Sequence, residues 1–408
     1  MNEQRLKVVL LDDDYERAAG WAAHIAEKQS CDAMAPDIDA VRDLITTLFR
    51  RRKLGRTGAD IWSVACDVLD SADILIIDYD LQNLEQNGEW TTGSEVAYAA
   101  RLVSRAKMIV VVNQRGSNRF DLTMTKAAES KADLDVGGTQ LTNPGLWISK
   151  GFDGYRPWPW PNLLHEPARA EECIQSVKKH FDRPVLSSLG FDDDSATGKS
   201  LRPELWGKLC TRPDTTFRQL AVPADESAAT HILFADVEIY RKDDDLAASI
   251  AAAIVRRWLE KWVLPNQDLL ADTPHLAVRF PWILRNPYDD GAWHGLESLE
   301  PSDALIPEVE HFRFQPACFL SRPAFWGDAI ETTQEGRSAD FDYGKVPELV
   351  FREDVSNFGS PADSRDFPSQ VLSIDNRRWI TEPTTQPTRT GPQNVKAVVF
   401  EPQSLLLS

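Results

Sequence analysis

Along the first half of the chain, short unbroken apolar runs alternate with segments whose apolar residues recur every three or four positions. Residues 6–11, LKVVLL, have the continuous apolar character of a strand covered on both faces. In ERAAGWAAHIAEK, Trp21, Ala22 and Ile25 share one helical face. Asp37 stands where it can cap a second helix, IDAVRDLITTLFRRRK, with Ile38, Val41, Ile45 and Leu48 as its apolar stripe. The basic end of that helix, Arg50 to Lys53, suits the negative pole of a helix dipole better than an anion site. ADILIIDYDL at 72–81 reads as a second strand, GSEVAYAARLVSR as a helix and KMIVVVNQRG at 107–116 as a third strand. A helix is expected around Leu122 to Ala132, and a further strand in GLWISKGF at 145–152. The helix EPARAEECIQSVKKHF, striped by Ala170, Cys173, Ile174 and Val177, closes the series. Strands alternating with helices predict an α/β fold, a doubly wound parallel sheet.

The pattern then changes. RPVLSSLGFDDDSATGKSLRPELWG is rich in Ser, Gly, Asp and Pro, which divides the chain into a first domain at 1–185, a linker at 186–200 and a second module at 201–408. SATGKS is not a phosphate loop, because Asp193 stands where the first glycine is needed and no apolar strand leads in. In ATHILFADVEIYRK, Leu233, Ala235, Val237 and Ile239 alternate with polar residues as a half-exposed strand does. A helix striped by Ile250, Ile254, Trp258 and Trp262 follows. Past Pro265 the segments are short and broken by proline, which suggests a mixed α+β module, with 381–393 as a flexible segment and VKAVVFEP as a last strand. His275, His294 and His311 are too dispersed for a metal motif.

Composition narrows the function classes. A length of 408 residues fits two domains, or three. The net charge of −18 argues against a surface that condenses on nucleic acid or anionic lipid, and the acid excess of 201–408 argues against DNA binding as an output. Five cysteines without a close pair suggest neither a disulfide framework nor zinc, and point to a reducing cytoplasm. No apolar run is long enough to span a bilayer, so no membrane partner is expected. Trp158 and Trp160, in WPWP, are rigid aromatics beside proline and a place to expect contact between domains.

The first strand runs into Asp12, Asp13 and Asp14. Like charges so close oppose one another's ionisation, so the triplet needs a reason. The same triplet recurs at Asp192 to Asp194 and Asp243 to Asp245, where a turn and a helix cap are sufficient reasons, and Asp14 reads as a cap too. Asp12 and Asp13 have different company. In a doubly wound sheet the carboxyl ends of the strands share one rim, which here collects Asp12 and Asp13, then Asp78 and Asp80, then Asn113, and finally Lys150. Carboxylates gathered with one lysine make chemical sense around a divalent cation, and hard oxygen ligands favour magnesium.

This ordered set resembles the receiver domain of bacterial response regulators, over residues 1–185. The resemblance implies a flavodoxin-like fold in which Asp12 and Asp13 bind magnesium and Asp78 is the phosphoacceptor. Asp78 and the backbone carbonyl of Asp80 would complete the metal shell. Lys150 would pair with the phosphoryl group, Asn113 would stand at the position of the family's Ser or Thr, and Trp147 would be the switch aromatic. It further implies a histidine kinase or other phosphodonor as partner, and a phosphoacceptor switch acting on a non-DNA-binding C-terminal module that binds a protein partner, rather than a turnover enzyme. Three departures qualify it. Asn113 is an amide where the family has a hydroxyl, Gly151 replaces a proline, and 31–60, 82–92 and 115–144 are longer than a compact receiver needs. One strand is also missing between Asp14 and Asp78, which part of GADIWSVACDVL is expected to supply. A degenerate receiver serving as a phosphorylation-independent scaffold is the alternative, and an enzyme in the second half is another.

Overall fold

The computed structural model describes residues 5–27, 31–81, 84, 92–112, 132–136, 138–142, 147, 163–191, 203–210, 212–222 and 237–263, and farther on 270–271, 276–277, 279–287, 289–300, 325–333, 348–352, 357–367 and 378–381. Strands β1 (Leu6–Leu11), β2 (Cys31–Met34), β3 (Ile74–Asp78), β4 (Met108–Val112) and β5 (Leu134–Val136) form one sheet in the order 2-1-3-4-5. Every pairing in it is parallel. This is an α/β fold with one of the common doubly wound strand orders.

The strands alternate between two cores. Val9, Leu11, Leu75, Ile77, Ile109 and Val111 enter one apolar cluster, while Val8, Leu10, Ile74, Ile76, Met108, Val110 and Val112 enter another. With both faces covered, the central strands show no polar alternation, as their sequences suggested. Helix α1 (Tyr15–Glu27) buries Ala18, Ala22 and Ile25 in the second cluster. The first cluster takes α2 (Ile38–Arg56), through Val41, Leu44, Ile45 and Leu48, with α3 (Asp67–Ser71) and α4 (Gly93–Val103). The short α5 (Gly138–Leu141) lies with α1, and α6 (Glu166–Lys179) packs Cys173 and Val177 into the first cluster.

Several expectations are corrected. The strand missing between Asp14 and Asp78 is β2, Cys31–Met34, whereas GADIWSVACDVL forms a 3-10 turn at Ile61–Ser63 and helix α3. β2 is a four-residue edge strand in which only Cys31 is fully buried, so it carries little apolar signal. The fifth strand is Leu134–Val136, too short to show a period. Of GLWISKGF only Trp147 belongs to the described residues, and it lies in a turn. Of the helix expected around Leu122 to Ala132, only Ala132 belongs to them, and Asp192 to Asp194, SATGKS and WPWP lie outside.

The basic run of α2 also differs from expectation. The helix continues to Arg56, leaving Arg51 and Arg52 in its interior and buried. Arg51 grips both oxygens of Asp70 at 2.6 and 2.7 Å, donates from Nε to the Val64 carbonyl at 2.8 Å, and stacks on Trp62. Arg52 stacks on Tyr98. These cations tie α2 to α3 and α4, a role beyond complementing the helix dipole.

Helices α7 (Val185–Ser188), α8 (Pro203–Trp206), α9 (Phe217–Ala221), α10 (Val237–Lys242) and α11 (Asp244–Trp258) follow. The first apolar cluster runs on through them to Trp258 and Val263, so helices on both sides of 186–200 share one core with the sheet. Helix α11 packs against α6, α9 and α4. The Trp62 indole N–H donates to Asp243 at 2.9 Å, and Lys242 donates to the Gly58 carbonyl. Val237 to Lys242 is helical where a strand was expected; Leu233 and Ala235 lie outside the described residues. Adjacent Ile239 and Tyr240 are both buried, which a half-exposed strand cannot arrange but a helix wedged against Gly55 can. Asp243 caps α11 as its sequence suggested, accepting from the backbone N–H groups of Asp245 and Leu246.

Farther along, β6 (Leu270–Ala271) pairs antiparallel with β7 (Phe325–Trp326). Strands β8 (Val350–Arg352), β9 (Asn357–Gly359), β10 (Ser364–Phe367) and β11 (Arg378–Thr381) form a mixed sheet in the order 10-11-8-9. A separate apolar cluster centres on buried Trp293, stacked on Phe358 and tilted against Phe325. No helix among the described residues is long and apolar enough to cross a membrane.

Candidate functional site

Strand register brings the acids together. β1 and β3 pair Val8 with Ile74 and Leu11 with Ile77, and the same offset one residue farther sets Asp12 beside Asp78. Both follow the parity of Leu10 and Ile76, so both carboxylates turn toward the face that carries α1. Asp13 joins them: one oxygen from each of Asp12, Asp13 and Asp78 lies within 4.8 Å of the others. The three side chains are 2%, 6% and 2% exposed.

The turn out of β1 is built by the same triplet. Asp12 accepts from the Asp14 N–H at 2.9 Å, and Asp14 accepts from the Arg17 N–H at 3.1 Å, capping α1. Asp14 is thus the cap its copy at Asp243 led one to expect. On the other side, Thr92 and Glu95 make a capping box at the start of α4. Gly93 donates to the Tyr79 carbonyl at 2.9 Å, and Tyr79 donates to the Val112 carbonyl at 2.8 Å. Tyr79 and Asp80, just after β3, are therefore held from both sides, with Asp80 bridged to Thr92. Gly93 is required here, since a Cβ would collide with the Asp78 carbonyl and stand 2.7 Å from Tyr79 Cα.

A residue that sequence reasoning passed over sits at the centre of the acids. Arg17, in the first turn of α1, donates from Nε and Nη2 to the two oxygens of Asp12 at 2.9 and 2.5 Å, and from Nη2 to Asp78 at 2.7 Å. Asp13 lies at 3.5 Å from the same nitrogen. The guanidinium also stands 5.6 Å over the Trp21 ring. The signal was present in the spacing: Arg17 lies four residues after Asp13 and three after Asp14, the separations at which helical neighbours meet.

Electrostatics follow from this crowding. Burial, and then the neighbouring charge of Asp12, push the Asp78 carboxyl up to about 7, against the opposing pull of Arg17. The hydrogen bonds to Asp12 raise Arg17 above its already high value. The three carboxylates are hard-oxygen groups close enough together to hold a metal ion, given the removal of Arg17 from the oxygens it grips.

Of the other expected site residues, Trp147 is fully buried in the α1-side cluster, its indole N–H donating to the Leu141 carbonyl at 2.6 Å. Asn113 and Lys150 lie outside the described residues. His275 and His311 do too, while His294 falls on the helix Asp290–Glu297. No family model, no curated protein and no solved structure matches the chain.

Proposed function

We propose that the N-terminal half is a receiver-type signalling switch in which Asp78 accepts a phosphoryl group. The observation that carries this reading is the register of Asp12 with Asp78, joined by Asp13, at the carboxyl edge of a parallel sheet ordered 2-1-3-4-5. In the reaction a carboxylate oxygen of Asp78 attacks the phosphorus of a phosphohistidine or an acyl phosphate. The bond to the donor's nitrogen or oxygen breaks, the donor leaves with that electron pair, and an aspartyl phosphate remains. Asp12, Asp13 and Asp78 would hold magnesium, which when bound neutralises charge on the phosphoryl oxygens. Lys150 and Asn113 are the residues proposed to meet those oxygens, and Trp147 to report the change. The new negative charge would then act on the shared core that carries α10 and α11, and so on the contacts of the C-terminal part with a protein partner. The free thiols Cys31, Cys66 and Cys210 suit the proposed cytoplasmic setting.

The test is incubation of the full chain with magnesium and acetyl phosphate, followed by intact mass. A gain of one phosphoryl group that disappears in Asp78→Asn is expected; no gain, or the same gain in Asp78→Asn, sinks the reading. The ion pairs of Arg17 favour a second reading, a receiver-like scaffold that works without phosphorylation, and a negative result in this experiment would select it.

A further inference from the structure

Arg17 holds the oxygens that a metal ion would need. It takes both oxygens of Asp12 and one of Asp78, with Asp13 close by, so one guanidinium partly neutralises three carboxylates whose side chains are almost wholly buried. A dication bound to those oxygens and a guanidinium donating to them would be like charges in contact, and the two arrangements exclude each other. Arg17 has somewhere to go, because its side chain is 28% exposed, whereas the acids are fixed by β1, β3 and the α1 cap. Its guanidinium leans over Trp21, which in turn lies against Gly138 at the start of α5, where a Cβ would stand 3.2 Å from the indole ring. From the same helix α1, His24 Nε2 contacts the Thr142 carbonyl at 3.0 Å, and the Leu141 carbonyl holds Trp147.

We propose that Arg17 is the resident counter-cation of the Asp12, Asp13 and Asp78 cluster, that magnesium enters only by displacing it, and that the displacement is reported at Trp21. The proposal deepens the receiver reading and rests on it for the metal. It turns an internal arginine into the element that sets the magnesium threshold of the switch. Release of the guanidinium changes the packing of Trp21, and with it the contact of α1 with α5, whose Leu141 carbonyl holds Trp147.

Magnesium binding to the full-length protein is measured by calorimetry for wild type, Arg17→Gln and Arg17→Lys, and Trp21 emission is obtained as the difference between wild type and Trp21→Phe. Close charge pairs at such distances carry enough coupling that Arg17→Gln is expected to bind magnesium about tenfold tighter or more. Arg17→Lys, which keeps the charge without the two-oxygen grip, is expected between the two. In wild type, Trp21 emission is expected to change with the same midpoint as the calorimetric titration. Equal or weaker binding by Arg17→Gln, or no magnesium binding by either protein, overturns the proposal. If Arg17→Gln does not fold, the wild-type titration decides, and Trp21 emission that stays constant to magnesium saturation overturns it. Failure of the two readings is distinguishable: tighter magnesium binding without phosphoryl gain removes only the phosphoacceptor claim, and phosphoryl gain with magnesium affinity indifferent to Arg17 removes only this one.

Discussion

Adding one methyl group at Gly93 and at Gly20 should move stability in opposite directions. Gly93 opens α4 directly against the end of β3, and an alanine Cβ there would overlap the Asp78 carbonyl oxygen while lying 2.7 Å from Tyr79 Cα and 2.8 Å from the Asp78 carbonyl carbon. Ordinary contact begins at 3.4 Å, and the atoms in the way are all backbone. Neither side has room to yield. Tyr79 is tied to β4 through Val112, and α4 is buried from Val96 to Val103, so shifting the helix opens the core on its far side. Overpacking of this kind costs about 1–3 kcal/mol, more than the gain of at most about 1 kcal/mol that Ala brings to a helix. Gly20 is exposed in the middle of α1, with nothing within 4 Å of the place an added methyl group would take. There Gly→Ala should stabilise by about 0.5–1 kcal/mol. Urea unfolding followed by tryptophan emission measures both. A Gly93→Ala protein as stable as wild type would refute the claim that the end of β3 at Asp78 is clamped by close backbone approach.

Other outcomes follow from the same structure. Arg51→Ala, which leaves the half-buried Asp70 without its two-oxygen partner, should cost about 1.5–3 kcal/mol in urea unfolding, and a loss below about 0.5 kcal/mol would mean that the pair contributes little. Asp78 is lifted from its ordinary 3.8 to about 7, so between these values the native chain keeps a proton that the unfolded chain has released. Its contribution to stability therefore falls as pH rises from about 4 through 7 and is level above. Relative to wild type, Asp78→Asn should gain a few kcal/mol, to an order of magnitude, between pH 4 and pH 8, and a difference independent of pH would contradict the burial argument. Asp243→Ala removes both the cap of α11 and the acceptor of the Trp62 indole, and thermal melting should show a loss of about 1–2 kcal/mol.

Strong periods and local chemistry were readable in the chain. β1, β3 and β4 have unbroken apolar runs because both faces are covered, and α1, α2, α4 and α6 carry their stripes because one face of each is buried. The caps Asp14, Asp37 and Asp243 act within a few residues of themselves, so their roles needed no tertiary information. β2 and β5 escaped because they are short and bounded by the sheet's edges, where half the signal is missing.

The divide at the acid triplet is of the same kind. Sequence alone marked Asp12, Asp13 and Asp78 as acids ending apolar strands, and separated Asp14 as a cap. Only the tertiary structure decided that Asp12 and Asp78 face one another, because that depends on the register of two strands more than sixty residues apart. It also decided that Arg17 supplies their positive charge, that Gly93 leaves room for the Asp78 carbonyl, and that α11 shares the core of the sheet. Periodicity and capping report forces acting along the chain, whereas charge pairing and close packing depend on distances through space that folding alone creates.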